Sequence, residues 1–186
     1  MPIVFDRGNA FLNGFVNVLM AIQPDDRVLE IGCGTGKLIK IMAKKIDKGM
    51  IEGIDFSPTM VKIAQRRNKK SMAKGIVKIV EDNFEDITYA KENFTKACSV
   101  NILYFWNNPE STVKKVFEVL KPGAQFVVAF EDINQLKQRK LSDDVFQLYT
   151  VSAVKKLLTN AGFLNGVRIE TRKKRKLSFH CAVAIK

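Results

Sequence analysis

Arg27-Val28-Leu29-Glu30-Ile31-Gly32-Cys33-Gly34-Thr35-Gly36-Lys37-Leu38 decides how the rest of the chain is read. Val28 to Ile31 is a brief apolar run after the turn-forming pair Pro24-Asp25, the pattern of a short buried strand. Three glycines at alternate positions follow, and then Leu38, Ile41 and Met42 recur at helical spacing. Strand, glycine loop and helix in that order begin an α/β fold of the nucleotide-binding type, in which the backbone turns sharply and approaches a ligand closely. A dinucleotide fingerprint, G-x-G-x-x-G, would put its third glycine where this chain has Lys37. The spacing here is G-x-G-x-G instead.

Outward from that stretch, 186 residues suffice for one domain with a full core, read as a helical cap over 1–24 and an α/β core over 25–186. With 46% hydrophobic and 27% charged residues, disorder is excluded, and no apolar run reaches membrane-spanning length. The amino terminus lacks the basic-then-apolar layout of a signal peptide. Cys33, Cys98 and Cys181 are odd in number and widely spaced, so a disulfide framework or a zinc site is not expected and a cytoplasmic setting fits. Lys and Arg exceed Asp and Glu by twelve. Such a field attracts nucleic acid, anionic lipid or acidic substrates, although the charge reads as mostly scattered and solvated.

The spacing predicts a helix over Asn9–Ile22 in which Asn9, Asn13 and Asn17 share one stripe, read as a solvent face with the cofactor or substrate mouth as the alternative. The helix after the glycines is expected to stop near Asp47-Lys48-Gly49. Strands follow at Met50–Asp55, Ile76–Val80, Phe94–Asn101, Gln125–Phe130, Gly166–Thr171 and Ser178–Ile185. Between them Ser57-Pro58, Asn108-Pro109 and Thr150 start helices, and Leu120-Lys121-Pro122-Gly123 reads as a turn. Gln65–Lys70 reads as the basic carboxyl end of a helix, explained by the helix dipole alone. Arg172–Lys176 falls on a hairpin as the best candidate for an RNA-phosphate contact, and His180, in the last strand, reads as structural.

Taken together, Glu30 with Gly32, Gly34 and Gly36, the acidic strand end at Asp55, the Val100-Asn101-x-x-x-Phe105-Trp106 stretch and the Leu120–Gly123 turn resemble the class I S-adenosylmethionine-dependent methyltransferases. Thr95, where relatives carry Asp, and Ala124, where they carry a second Gly, depart from the pattern. The resemblance implies a Rossmann-like sheet of seven strands, mostly parallel with an antiparallel last strand and helices on both faces. It implies S-adenosyl-L-methionine as methyl donor, with S-adenosyl-L-homocysteine as product. Glu30, Gly32, Cys33, Gly34, Gly36 and Asn101 would surround the donor, and Asp55 would take the ribose hydroxyls. Phe56 and Met60 would edge the adenine, with Asp82 accepting its amino group and Asn83 or Phe84 meeting a ring nitrogen.

No catalytic side chain stands out. Asn101, Tyr104, Trp106, Glu131 and Tyr149 are candidates for the acceptor pocket, Glu131 also for a base, and no metal site is expected. A small-molecule acceptor is the main reading. An RNA methyltransferase using 172–176, a worn N-P-P-Y amino-methylase at Asn101–Tyr104, a non-catalytic nucleotide-binding module and an NAD(P) oxidoreductase are the alternatives.

Overall fold

In the computed structural model residues 2–138, 147–175 and 177–186 are described, those before Ala10 by their backbone alone. The elements in order are α1 (Pro2–Met20), β1 (Arg27–Ile31), α2 (Lys37–Met42), β2 (Met50–Asp55), α3 (Pro58–Ala73), β3 (Val77–Glu81), β4 (Phe94–Val100), a 3-10 turn (Leu103–Phe105), α4 (Pro109–Val119), β5 (Leu120–Glu131), α5 (Ile133–Lys137), α6 (Val151–Asn160), β6 (Val167–Lys174) and β7 (Leu177–Ile185). These seven strands form one sheet in the order β3-β2-β1-β4-β5-β7-β6. Pairing is parallel from β3 to β5, and β7 runs antiparallel to both β5 and β6. This is the architecture that the strand spacing and the resemblance imply.

Period-two alternation divides the core between the two faces. On β5, Phe126, Val128 and Phe130 pack with α4 and α6, while Val127 and Ala129 pack with α1, α2 and α3. Lys96 fastens α1 to the sheet: its ammonium pairs with Asp26 at 3.1 Å and donates to the Met20 and Ala21 carbonyls at 2.6 and 2.8 Å, filling the carboxyl end of the helix. Thr95 has its own duty, accepting the Arg27 amide at 3.0 Å and donating to Asp26 at 2.7 Å. Ser57, Asn108 and Thr150 cap α3, α4 and α6 as their positions predict.

Several expectations need correction. The helix after the glycines stops at Met42, because the amides of Asp47, Lys48 and Gly49 all turn back to the Pro24 carbonyl at 2.9–3.0 Å. Leu120–Gly123 is part of β5, not a free turn. Leu120 pairs with Phe94, the register shifts before Lys96, and the Gly123 amide closes on the Lys186 carbonyl at 2.9 Å. Asn13 is 8% exposed and Asn17 half-buried, so the asparagine stripe is not a solvent face; the side chain of Asn9 lies outside the described residues. Arg172, Lys173 and Lys174 belong to β6, and Lys176 lies outside the described residues. Arg172 stacks over Phe15 and Lys174 over Phe11, at 4.5 and 5.4 Å from the ring centres. Among the described residues no helix is long and apolar enough to cross a membrane.

Candidate functional site

The strand order reverses direction between β1 and β4, and open α/β sheets bind ligands in the crevice at the carboxyl ends of such strands. Three loops meet there. The Gly32 and Cys33 amides donate to the Ile54 carbonyl at 2.8 and 3.0 Å, holding the glycine loop against the end of β2. The Gly34 amide donates to Asp55 Oδ2 at 2.7 Å, and the Ser57 amide to Asp55 Oδ1 at 3.0 Å. The Asp82 amide, at the end of β3, reaches the Asp55 carbonyl at 3.2 Å. Gly34, Asp55 and Asp82 are therefore one hydrogen-bonded unit, with Asp55 as the link.

The glycines differ in what crowds them. A Cβ on Gly36, at φ +68, would lie 2.6 Å from Asn68 Nδ2 and 2.9 Å from Ala64 Cβ, so this glycine lets α3 close on the loop. A Cβ on Gly34, at φ +51, would meet nothing within 4 Å among the described residues. Gly34 thus turns its bare Cα towards open space beside the Asp55 carboxylate. Phe56, 72% exposed, follows immediately, and Asp82 is exposed. Met60 is half-buried in the first turn of α3, and Cys33 is buried. The donor set offers a carboxylate for hydroxyls, an exposed ring for stacking, and a glycine surface for close approach. These residues fit an adenosyl group.

Glu30 is 3% exposed, and its Oε2 has no partner among the described residues. Burial, then the charge of Asp55, outweigh a hydrogen bond from the Ile39 amide and push its carboxyl from 4.5 up to about 8. A folded-state value above the unfolded one means that this group's stabilising contribution is full below pH 4.5 and fades as pH rises to 8. Glu30→Gln is accordingly expected to raise the melting temperature relative to wild type at pH 8.5, and this gain should shrink to nothing by pH 4.5. A gain independent of pH would assign Glu30 a different ionisation.

Several residues that hold the site were not legible as such. Arg67 Nη1 donates to the Thr35 carbonyl at 3.0 Å and to the Thr35 hydroxyl. Asn68, buried in α3, donates to the Gly36 carbonyl at 3.0 Å and to the Ala64 carbonyl at 2.9 Å. The Gln65–Lys70 stretch is therefore more than a dipole complement. It lies inside α3, which continues to Ala73, and its Arg67 and Asn68 clamp the glycine loop. Losing the buried Asn68 amide costs roughly 1–3 kcal/mol. Asn68→Ala is expected to lower the melting temperature by roughly 2–12 °C; no change would show the clamp to be idle.

The loop after β3 is held from the other face. Lys115 donates to the Phe84 and Glu85 carbonyls at 2.6 and 3.1 Å, and Glu85 accepts from Asn107, Asn108 and Thr112. The Asn83 amide folds onto Asp82 Oδ1 at 2.8 Å, and the Phe84 ring is core.

At the ends of β4 and β5, Asn101 adopts φ +55 and its amide donates to the Ala129 carbonyl at 2.9 Å. Its Nδ2 stands 3.5 Å from Glu131 Oε1, and the Glu131 amide donates to the Tyr104 hydroxyl at 2.6 Å. Asn101, Tyr104 and Glu131 are thus brought together. Trp106 is not with them; it is 6% exposed and packed in the core beneath α4 and α6. Tyr149 is half-buried on that same core, its hydroxyl bonded to Gln147 at 2.7 Å. His180 joins Thr171 at 2.9 Å and Asp132 at 3.3 Å, tying the end of β5 to the β6–β7 hairpin. Among the described residues no group of three His, Cys, Asp or Glu could hold a metal.

The profile described as "Methyltransferase domain" matches residues 29–128. The chain is 30% identical over 110 residues to the protein named "Putative methyltransferase YrhH" of Bacillus subtilis, covering 59% of this chain and 60% of that one. It is 31% identical over 111 residues to the ubiquinone/menaquinone biosynthesis C-methyltransferase of Hydrogenovibrio crunogenus, covering 59% of this chain and 44% of the relative. The matches thus span less than two thirds of these relatives' own length. A SAM dependent methyltransferase from Aquifex aeolicus has the same fold, with a TM-score of 0.72 at 17% identity, over 93% of this chain and 88% of that one.

Proposed function

We propose, from the premise that this chain belongs to the methyltransferase domain family, that it is an S-adenosylmethionine-dependent methyltransferase acting on a small-molecule acceptor. The observation that carries the reading is the Asp55 carboxylate at the centre of three bonded loops, with open space beside Gly34. Asp55 would hold the ribose hydroxyls, Asp82 and the Asn83–Phe84 backbone the adenine edge, and Phe56 its face. Glu30 and the Gly32–Gly36 loop would line the remainder. When bound, the donor supplies a methyl group activated by a sulfonium.

The chain's own work is alignment and exclusion of water, which can lower a barrier by roughly 7–11 kcal/mol without a dedicated acid or base. Asn101, Tyr104 and Glu131 form the acceptor side of the crevice. Glu131 Oε1, 3.5 Å from Asn101, is the group positioned to take a proton from an acceptor that must lose one. A quinone-pathway relative supports a small acceptor.

The test is a melting-point screen with S-adenosylhomocysteine, S-adenosylmethionine and NAD. Saturation at about a hundred times Kd adds roughly 2.7 kcal/mol to the folded state, which is roughly 5–11 °C for a chain of this size. The two adenosyl-sulfur ligands are expected to give that rise and NAD none. A response to NAD alone would reverse the reading.

A further inference from the structure

The surplus of positive charge is gathered on one side of the molecule. Between Lys37 and Lys74 the chain carries eleven Lys and Arg against Asp47, Glu52 and Asp55, a surplus of eight out of the chain's twelve. Glu52 and Asp55 are buried in β2, which leaves Asp47 as the acid on the surface of this region. α2 packs against α3 and against α1, all on the same face of the sheet. On the opposite face, α4 and α6 carry Lys114, Lys115, Lys155 and Lys156 against Glu110 and Glu118, a surplus of two.

A groove of about 320 Å³ runs between α2 and α3, lined by Lys37, Lys40, Ile41, Lys44 and Arg67. Of the exposed cations carried by α2, by α3 and by the chain just after α2, none of Lys40, Lys44, Lys62, Arg66, Lys69 and Lys70 forms an ion pair among the described residues. Arg172 and Lys174, stacked on α1, extend the same face.

We propose that the α2–α3 face is a docking surface for the phosphodiester backbone of a nucleic acid, separate from the crevice at the strand ends. A groove lined by Lys37, Lys40, Lys44 and Arg67, with exposed cations on the same helices that form no ion pair among the described residues, suits a linear polyanion. The sixteen residues of α3 rise about 24 Å at 1.5 Å each, which matches roughly seven nucleotides of one duplex strand. A membrane surface would engage inserted apolar side chains. Among the described residues the exposed large hydrophobics are Val18, Phe56, Phe105, Leu164 and Leu177, all off α2 and the body of α3. An acidic protein would bring an apolar interface core, and here Ile41 is the one apolar residue among the described residues lining the groove. Recognition is by phosphate and not by base, since none of those lining residues is an aromatic ring to stack on.

The experiment is fluorescence anisotropy of a labelled 20-base-pair DNA duplex of mixed sequence, titrated with the whole chain between 50 and 200 mM salt. Affinity is expected to fall steeply with salt. In the variant Lys40→Ala/Lys44→Ala/Lys69→Ala/Lys70→Ala it should drop at least tenfold, and the log–log salt slope should shrink by about 0.9 for each phosphate no longer neutralised. The single change Lys44→Glu should weaken binding in the same direction, and Lys155→Ala/Lys156→Ala on α6 should leave it unchanged. Binding that is flat with salt, equally weakened by the α6 variant, or replaced by selective binding of phosphatidylglycerol vesicles would overturn the proposal. The response of the lysine variants to S-adenosylhomocysteine should equal that of wild type, so failure of docking and failure of the methyl-donor reading are read separately.

Discussion

Asp55→Ala is expected to weaken S-adenosylhomocysteine binding by about a hundredfold or more, measured by titration calorimetry. The carboxylate does two things at once. It takes the Gly34 and Ser57 amides at 2.7 and 3.0 Å, and it stands where the ribose hydroxyls would come. A hydrogen bond to a charged group contributes about 1.5–3 kcal/mol, so two lost towards the ligand amount to roughly 3 kcal/mol or more. Asp55→Asn separates shape from charge. Its amide oxygen can still accept the Gly34 amide, and the loss should be near tenfold. Equal, small losses in both variants would mean that the carboxylate supports the loops and does not touch the ligand.

The second large effect is a contrast between two glycines in the same loop. Gly36→Ala drives a Cβ to 2.6 Å from Asn68 Nδ2 and 2.9 Å from Ala64 Cβ, and the Ala64 Cα behind them is backbone that cannot swing away. Overpacking of this kind costs about 1–3 kcal/mol, and alanine in the left-handed region adds about 1–2 kcal/mol. The melting temperature should fall by roughly 4–20 °C. Gly34→Ala meets no described atom and carries the backbone cost alone, so it should melt only roughly 2–8 °C below wild type. Its methyl group, however, would occupy the space beside Asp55, and the ligand-induced rise in melting temperature should be lost. If both variants unfolded alike, the space beside Gly34 would have no ligand role.

The order of strands, the glycine loop and the three helix caps were legible because each rests on local chemistry: alternation of apolar residues, Ser, Asn or Thr before a helix, glycine where φ is positive. What was hidden depends on partners far away in sequence. Arg67 and Asn68 look like surface residues of a basic stretch, yet they reach back some thirty positions to Thr35 and Gly36. Leu120–Gly123 reads as a turn until Phe94 and Lys186 are seen to pair with it. Trp106, an aromatic beside a strand end, could face a ligand or the core, and only the packing of α4 and α6 decides for the core. The basic residues were countable, but their gathering on α2 and α3 required knowing that those helices share a face. Asn101 and Glu131 were each placed at a strand end by the sequence; their approach to 3.5 Å follows from the pairing of β4 with β5.

Everything proposed for the crevice depends on one nucleoside being gripped jointly from the ends of β1, β2 and β3. A crystal structure of the chain with S-adenosylhomocysteine tests this most directly. It should show the ribose hydroxyls within hydrogen-bond distance of Asp55, the adenine beside Phe56 with its amino group on Asp82, and the thioether chain along Gly32–Gly36. Adenosine seated away from Asp55, or bound with Asp55 and Asp82 both turned from it, would contradict the joint grip.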